Sequence, residues 1–425
     1  MLPLLALAAM PTELDAYLRT PDPSYRYEAK PTKSGGLEID LTSLAWQGTT
    51  WQHKVMVQQP PKVAAKGVGI LYITGDGPTN GDLATLALVS VGTGMPVAMM
   101  FKVPNQPIWD LREDDLIAHT FQKYLDTGDP SWPLLFPMTK AALRAMDAVQ
   151  DATKNTDNPI KRFVVCGASK RGWTTWMVGA AQDPRVIGIA PMVIDNLNLA
   201  AQMPHQLATW GEYSEQIQDY TRRGLQAQMS TPRGQKLAEM VDPYSYRERI
   251  KMPALIVRGS NDAYWTVDAL DQYEKGLKMP HWLLNVPNAG HDLKGGFMAA
   301  ESIGAFARSL AGGPKLPKPT WGFVRKGREV TAKVSSPGGS YRSATLWMAT
   351  SDTLDFRTAV YVAANKLSPE MEAQIERESP KGWQGSEARV QIPQGKNVAL
   401  FWETRYKVGG REFSLSSPTK VFKKG

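Results

Sequence analysis

Arg162-Phe163-Val164-Val165-Cys166-Gly167-Ala168-Ser169-Lys170-Arg171-Gly172 is an apolar run that stops at a glycine and gives way to a helical pattern. A near-continuous apolar run of this kind is how a strand covered on both faces reads. A serine set between such a strand and a helix has the look of a nucleophile elbow: the sharp turn lifts the hydroxyl clear of the sheet, and nearby glycines let the chain fold tightly. The spacing departs from the usual G-x-S-x-G. Arg171 stands in the second glycine's place and Gly172 comes one residue later. The competing reading makes Ser169 the cap of a helix N-terminus.

Outward from this turn, strands and amphipathic helices alternate from about residue 37 to 311, the pattern of a doubly wound, mostly parallel α/β sheet. Val68 to Thr74, Pro96 to Phe101, Arg162 to Cys166, Val186 to Ile194, Pro253 to Arg258 and Trp282 to Val286 read as buried strands. Leu37 to Leu41 and Trp51 to Val57 read as a leading antiparallel pair. Helical spacing covers Leu111 to Leu125, Thr139 to Gln150, Thr174 to Ala181, Val267 to Leu277 and Phe297 to Leu310. Residues 196–249 break the alternation and read as a helical insertion placed where a cap would cover the site of an α/β-hydrolase; an ordinary surface excursion is the alternative.

After the hydrolase region, 11–312, a Gly/Pro-rich linker is expected at 313–320. Beyond it, 321–425 is expected to form a β-sandwich similar to immunoglobulin or fibronectin III modules. Its strands are read at Glu329 to Ser335, Ser343 to Ser351, Thr358 to Val362, Ala388 to Ile392, Asn397 to Tyr406 and Phe413 to Val421, with a turn at Ser336-Pro337-Gly338-Gly339. This part has no cluster of catalytic residue types and reads as a docking or binding module.

An α/β-hydrolase carries its triad in the order Ser, Asp or Glu, His, at the ends of successive strands. The strand Pro253 to Arg258 runs into Gly259-Ser260-Asn261-Asp262, and the strand Trp282 to Val286 runs into Pro287-Asn288-Ala289-Gly290-His291. Of five histidines, His53, His119, His205 and His281 lie elsewhere along the pattern, so His291 is the expected general base. Asp262 is the expected acid, with Asp195 and Asp268 as competitors. His291 would take the Ser169 proton, and Asp262 would hold the imidazole in the productive tautomer. Two amides are expected to face the oxyanion: that of Lys170, and one from Gly75-Asp76-Gly77. Arg171 either reads a substrate carboxylate or phosphate through its planar fork or forms an ion pair that pins the elbow helix. Trp173, Trp210 and Trp265 are candidates to line a substrate cleft.

Composition narrows the setting. Apolar residues make up 42% of the 425, charged residues 21%, and no apolar run is long enough to read as a membrane span. The single cysteine, Cys166, excludes an intramolecular disulfide and a cysteine zinc cluster, and reads as a packed strand residue. There is no Walker loop, G-x-G-x-x-G or H-E-x-x-H, so neither a cofactor nor a metal is expected. The net charge of +8 suits an anionic envelope or glycan surface. Only Lys315 to Arg328 and Lys423-Lys424 are locally basic, and no nucleic-acid partner is expected. The start, Met1 to Ala9, resembles the end of a secretory signal without its charged front, which makes 1–10 a candidate signal remnant and the setting periplasmic or secreted.

The elbow heptad Gly167 to Trp173, the run Pro191 to Asn198 and the run Val286 to His291 together resemble the PhoPQ-activated pathogenicity-related proteins, a family that includes the autocrine proliferation repressor. The likeness spans most of the chain. It implies an α/β-hydrolase fold, export, and a link to bacterial envelope stress or virulence, and it supplies no substrate. The G-x-S-x-x-G spacing is also similar to glucuronoyl esterases, which points toward carbohydrate-linked esters. The expected substrate is a small-molecule ester or peptide. A non-catalytic secreted binding or signalling protein on a hydrolase scaffold is the alternative.

Overall fold

The computed structural model describes residues 11–336, 340–364 and 385–424; the candidate signal Met1 to Ala9 and the turn at Pro337 to Gly339 lie outside them. Nine strands form the main sheet: β1 (Arg26–Pro31), β2 (Leu37–Trp46), β3 (Thr49–Gln58), β4 (Val68–Ile73), β5 (Val97–Met100), β6 (Arg162–Ala168), β7 (Val186–Met192), β8 (Ala254–Gly259) and β9 (His281–Val286). Their order is β1-β2-β3-β5-β4-β6-β7-β8-β9, antiparallel from β1 to β5 and parallel from β5 to β9. With the strand crossover at β4 and β5, this is the α/β-hydrolase arrangement with one strand added at the N-terminal edge. The loops that carry Ser169, Asp262 and His291 all leave the carboxyl ends of the parallel strands, where open α/β sheets hold their ligands.

Both faces of the sheet are covered, and β6 shows how. Phe163 and Val165 belong to a core shared with α4 (Leu135–Thr153) and α5 (Lys170–Ala180), while Val164 and Cys166 belong to a core shared with α10 (Phe297–Leu310). The two-residue period of a strand turns a single apolar run toward two cores at once. Burial pushes the Cys166 thiol up to about 12, as suits a core residue and not a nucleophile.

Four elements outside the insertion were not expected: the helix α1 (Glu13–Arg19), the strand β1, the helix α2 (Asn80–Thr93) and a strand over Thr320–Lys326, which begins on the last residue of the expected linker. α2 opens with a reciprocal cap between Thr79 and Asp82, but Leu83, Leu88 and Val91 remain exposed, so its sequence has no apolar stripe to read. β1 is an edge strand whose exposed, charged residues give little alternation. Conversely, the helix expected over Val267 to Leu277 is two 3₁₀ turns, Ala269–Gln272 and Glu274–Gly276, because its amides close onto carbonyls three residues back.

Residues 196–249 form α6 (Leu199–Trp210), α7 (Gln218–Thr221), α8 (Leu225–Gln228) and α9 (Pro232–Val241) with short 3₁₀ turns. Asp242 ties this segment together: its carboxylate accepts from the amides of Asn198, Leu199 and Tyr244, and burial raises its pKa to about 6.

The C-terminal part carries two antiparallel sheets, β10-β11-β14 and β13-β12-β15-β16 with β17 on β15, built from β10 (Thr320–Lys326), β11 (Glu329–Ser335), β12 (Tyr341–Ser351), β13 (Val362–Ala363), β14 (Gly385–Gln391), β15 (Asn397–Val408), β16 (Arg411–Ser416) and β17 (Lys420–Phe422). Val330, Ala332 and Val334 of one sheet meet Leu346, Leu400 and Trp402 of the other. The strand expected over Phe413 to Val421 is broken at Pro418, which has no N–H to give a ladder. Tyr406, Phe413 and Leu415 share a core with Leu284 and Phe306, so these sheets pack directly on the hydrolase part. The strand expected at Thr358 to Val362 shrinks to β13, for a reason that appears at the site.

Candidate active site

Ser169 sits alone between β6 and α5 with φ 58° and ψ −126°, a conformation that an L residue holds only when its surroundings impose it. The surroundings do so from both sides. Its amide donates to the Met192 carbonyl of β7 at 2.9 Å, and its carbonyl accepts from Trp173 of α5 at 2.9 Å. The displaced glycine has a clear reason: a Cβ at Gly172 would stand 2.7 Å from the Met192 carbonyl, so the tight contact falls there, one residue beyond Arg171. The elbow helix begins at Lys170, four residues before the helical spacing read from Thr174, and the amides of its first turn have no intrahelical acceptors.

His291 and Asp262 come together across the ends of β8 and β9. Nδ1 of His291 lies 2.9 Å and 3.1 Å from the two carboxylate oxygens of Asp262, and the Tyr264 amide also donates to Asp262. The ring of Tyr264 stacks on His291 at 4.2 Å between centroids. Nε2 of His291 is buried and has no hydrogen-bond partner, Ser169 included. The two loops are joined along their backbones. Asn261 donates to Ala289 at 2.9 Å, and a Cβ at Gly259 would come 2.3 Å from the Gly290 carbonyl. They are also held from outside: the Asn261 side chain donates to the carbonyls of Phe356, Arg357 and Ala359, and the Asn288 side chain exchanges hydrogen bonds with the backbone of Tyr361. The carbonyls of Phe356, Arg357, Ala359 and Tyr361 are thus spent on these loops and not on a strand ladder.

The other acidic candidates are committed elsewhere. Asp195 is bound by Arg258 and Tyr273, and Asp268 by His205 at 2.7 Å.

Lys170 and Arg171 lean toward α3 (Glu113–Thr127). Arg171 makes a two-pronged pair with Glu113 at 2.7 and 2.8 Å and also donates to the Val103 carbonyl. Burial opposes the Glu113 charge, but the hydrogen bonds and charge of Arg171, with the charge of Lys170, hold its pKa down at about 2. Lys170 pairs with Asp114 at 2.8 Å; burial works against its charge, and Asp114 more than offsets this, raising its pKa. Asp114 further accepts from Tyr220 at 2.9 Å, and Tyr264 reaches it at 3.5 Å.

Ser169, Lys170, Trp173, Trp265 and His291 line one cavity of about 720 Å³, roofed by residues 196–249. Arg171, Trp210, Gly75, Asp76 and Gly77 are not among its lining residues. Arg171 faces Gly75 instead, where a Cβ would come 2.8 Å from its guanidinium, so it belongs to the ion pair that pins the elbow helix and not to a substrate contact. Trp210 lies under the Arg357 guanidinium at 4.3 Å. Asp76 pairs with Arg112 at the surface. Sequence reasoning missed Glu113, Asp114 and Tyr264: an acidic pair in a first helical turn reads as a complement to the helix dipole, and nothing local couples it to a lysine and an arginine 57 positions later.

Among the described residues no group of His, Cys, Asp and Glu could hold a metal ion, and no helix is long and apolar enough to cross a membrane.

Residues 14–357 match the family model described as PhoPQ-activated pathogenicity-related protein. The chain is 34% identical over 334 residues to autocrine proliferation repressor protein A of Dictyostelium discoideum, covering 73% of this chain and 67% of that protein. Among solved structures it is similar to acetyl xylan esterase 1 from a Thermoanaerobacterium species, with 17% identity, 72% of this chain and 98% of that chain covered, and a TM-score of 0.48. A second similarity is to an S-formylglutathione hydrolase from Agrobacterium tumefaciens, with 15% identity, 67% and 98% coverage, and a TM-score of 0.42. The family match runs unbroken through the elbow, the roof and both loops, as far as the segment that Asn261 grips, and on that match and the identity to the Dictyostelium protein the chain belongs to the PhoPQ-activated pathogenicity-related protein family.

Proposed function

We propose that this protein is a serine hydrolase of carboxylic esters or amides, with Ser169 as nucleophile, His291 as general base and Asp262 orienting it. The observation that carries this reading is the state of His291: one ring nitrogen is engaged by Asp262, the other is buried and unpaired, and the residue lines the same cavity as Ser169. Asp262 on Nδ1 fixes the tautomer whose Nε2 can accept a proton. In the reaction, the Ser169 hydroxyl adds to the substrate carbonyl as its proton passes to Nε2. The leaving group departs with that proton, and water then releases the acyl group by the same route. Bonds between nucleophile and base commonly close only around substrate, so an open Nε2 is compatible with this role. The Lys170 amide, at the start of α5, is the proposed first donor to the oxyanion. The proposal includes an exported setting, supported by the apolar start Met1 to Ala9 and by a relative whose name describes an autocrine protein.

A fluorophosphonate probe tests the nucleophile. Labelling of the intact protein that disappears in Ser169→Ala is the expected outcome; equal labelling of both proteins overturns the reading.

A further inference from the structure

The imidazole of His291 is hydrogen-bonded at one corner only. Its Nδ1 meets the two carboxylate oxygens of Asp262 at 2.9 and 3.1 Å, and its Nε2 has no partner. A bond at one nitrogen sets the distance to the carboxylate but leaves the ring free to turn about the line joining the two groups. Where Nε2 points then depends on what lies against the face of the ring. Tyr264 lies there, stacked at 4.2 Å between centroids with the two planes 27° apart.

Tyr264 can bear on the imidazole because it is itself fixed along its length. Its amide donates to Asp262 at 3.0 Å, and its carbonyl accepts at 2.9 Å from the side chain of Gln206, a buried residue of α6 in the roof. The neighbouring Ala263 carbonyl accepts from the Ser214 hydroxyl, also of the roof, at 2.7 Å. At the far end of the side chain, the Tyr264 hydroxyl reaches Asp114 at 3.5 Å, and the Lys170 ammonium stands 6.0 Å from the ring centre. One residue therefore touches the acid, the base and the roof, and faces the lysine that follows the nucleophile.

We propose that Tyr264 is a positioning residue: its ring fixes the plane of the His291 imidazole so that Nε2 is presented to the Ser169 hydroxyl, and Gln206 and Ser214 hold its loop in place from the roof. This rests on the reading of Ser169 as nucleophile and His291 as its base. Tyr264 also lines the cavity, so the rival role is a wall residue that only touches substrate. The two roles move different kinetic constants: a wall contact acts on KM, a misplaced base on kcat.

The test measures kcat and KM separately on methyl 3-phenylpropanoate, together with thermal unfolding, for wild type, Tyr264→Phe, Tyr264→Leu and Tyr264→Met. Tyr264→Phe keeps the stacked ring and should stay within about threefold of wild type in both constants. Leucine and the more adaptable methionine fill the space without a flat face, so whichever folds reports the loss of the stack. In these two variants kcat should fall ~10- to 100-fold, the cost of a misplaced catalytic group, with KM changed by about threefold at most. The rate at which a fluorophosphonate labels Ser169 should fall with kcat, because that reaction needs the activated serine. A loss confined to KM, an unchanged kcat in the leucine or methionine variant, or a phenylalanine variant that falls as far as they do overturns the positioning role and leaves the hydrolase reading standing. A wild-type protein that neither turns over the ester nor takes the probe is instead the failure of the hydrolase reading.

Discussion

The floor and the roof of the cavity are built by different means. On the floor, Ser169, Asp262 and His291 stand on loops leaving β6, β8 and β9, and backbone contacts fix each loop: Ser169 to Met192, Asn261 to Ala289, and Gly172 and Gly259 where no Cβ fits. The roof is short helices set by side chains, above all the Asp242 carboxylate that gathers three amides. The floor therefore has one geometry dictated by strand spacing, whereas the roof can change its shape by exchanging side chains. On the function proposed above, reaction chemistry would belong to the first and selection of substrate to the second.

The sharpest way to break this contrast is at the base. His291→Ala should lower kcat/KM by about 10⁴-fold or more, as loss of a triad base does, while the protein still folds, the hydrogen bond to Asp262 and the stacking on Tyr264 being what stability loses. Steady-state rates and thermal unfolding on one preparation check both halves. A smaller effect is expected one layer behind the elbow. Glu113 has a pKa near 2 in the folded protein against an ordinary 4.5. Its ionised form therefore adds stability that is complete above about pH 4.5 and fades as pH falls toward 2. Glu113→Gln should be less stable at neutral pH and lose less stability across that window; denaturant titrations at several pH values measure it. On the roof, Met203→Trp should reduce the kcat/KM ratio of methyl 3-phenylpropanoate over methyl acetate by ~3- to 10-fold, for lack of space, and change stability by about 0.5 kcal/mol or less. A large loss on methyl acetate as well would erase the division between floor and roof.

The same contrast governs what could be read from sequence. Strands buried on both faces announce themselves as apolar runs, and the loops after them carry Ser169, Asp262 and His291 in chain order, so the sheet and the floor were legible residue by residue. The edge strand β1 and helix α2 were not, because neither has a buried stripe that imposes a period. The 3₁₀ turns of 267–277 read as a helix because apolar spacing over a few residues does not distinguish the two. At the site, Arg171 reads from sequence as either a substrate contact or a pin for the elbow helix, and its partner Glu113 is invisible. Trp210 reads as a cleft residue on residue type alone; it stacks on Arg357 and lines, with Asp262 and Trp265, a smaller pocket apart from the main cavity.

The grip of Asn261 and Asn288 on residues 356–361 also orders events in time. Synthesis runs from the N-terminus, so a nascent chain complete through α10 already contains Ser169, Asp262 and His291. It still lacks the carbonyls of Phe356, Arg357, Ala359 and Tyr361 that hold two of the three loops. Those loops reach their final form only when a segment made some 95 residues after Asn261 folds back onto them. The protein thus finishes its site last, and a single cut between α10 and Phe356 that released the C-terminal part would loosen that site without touching any residue in it.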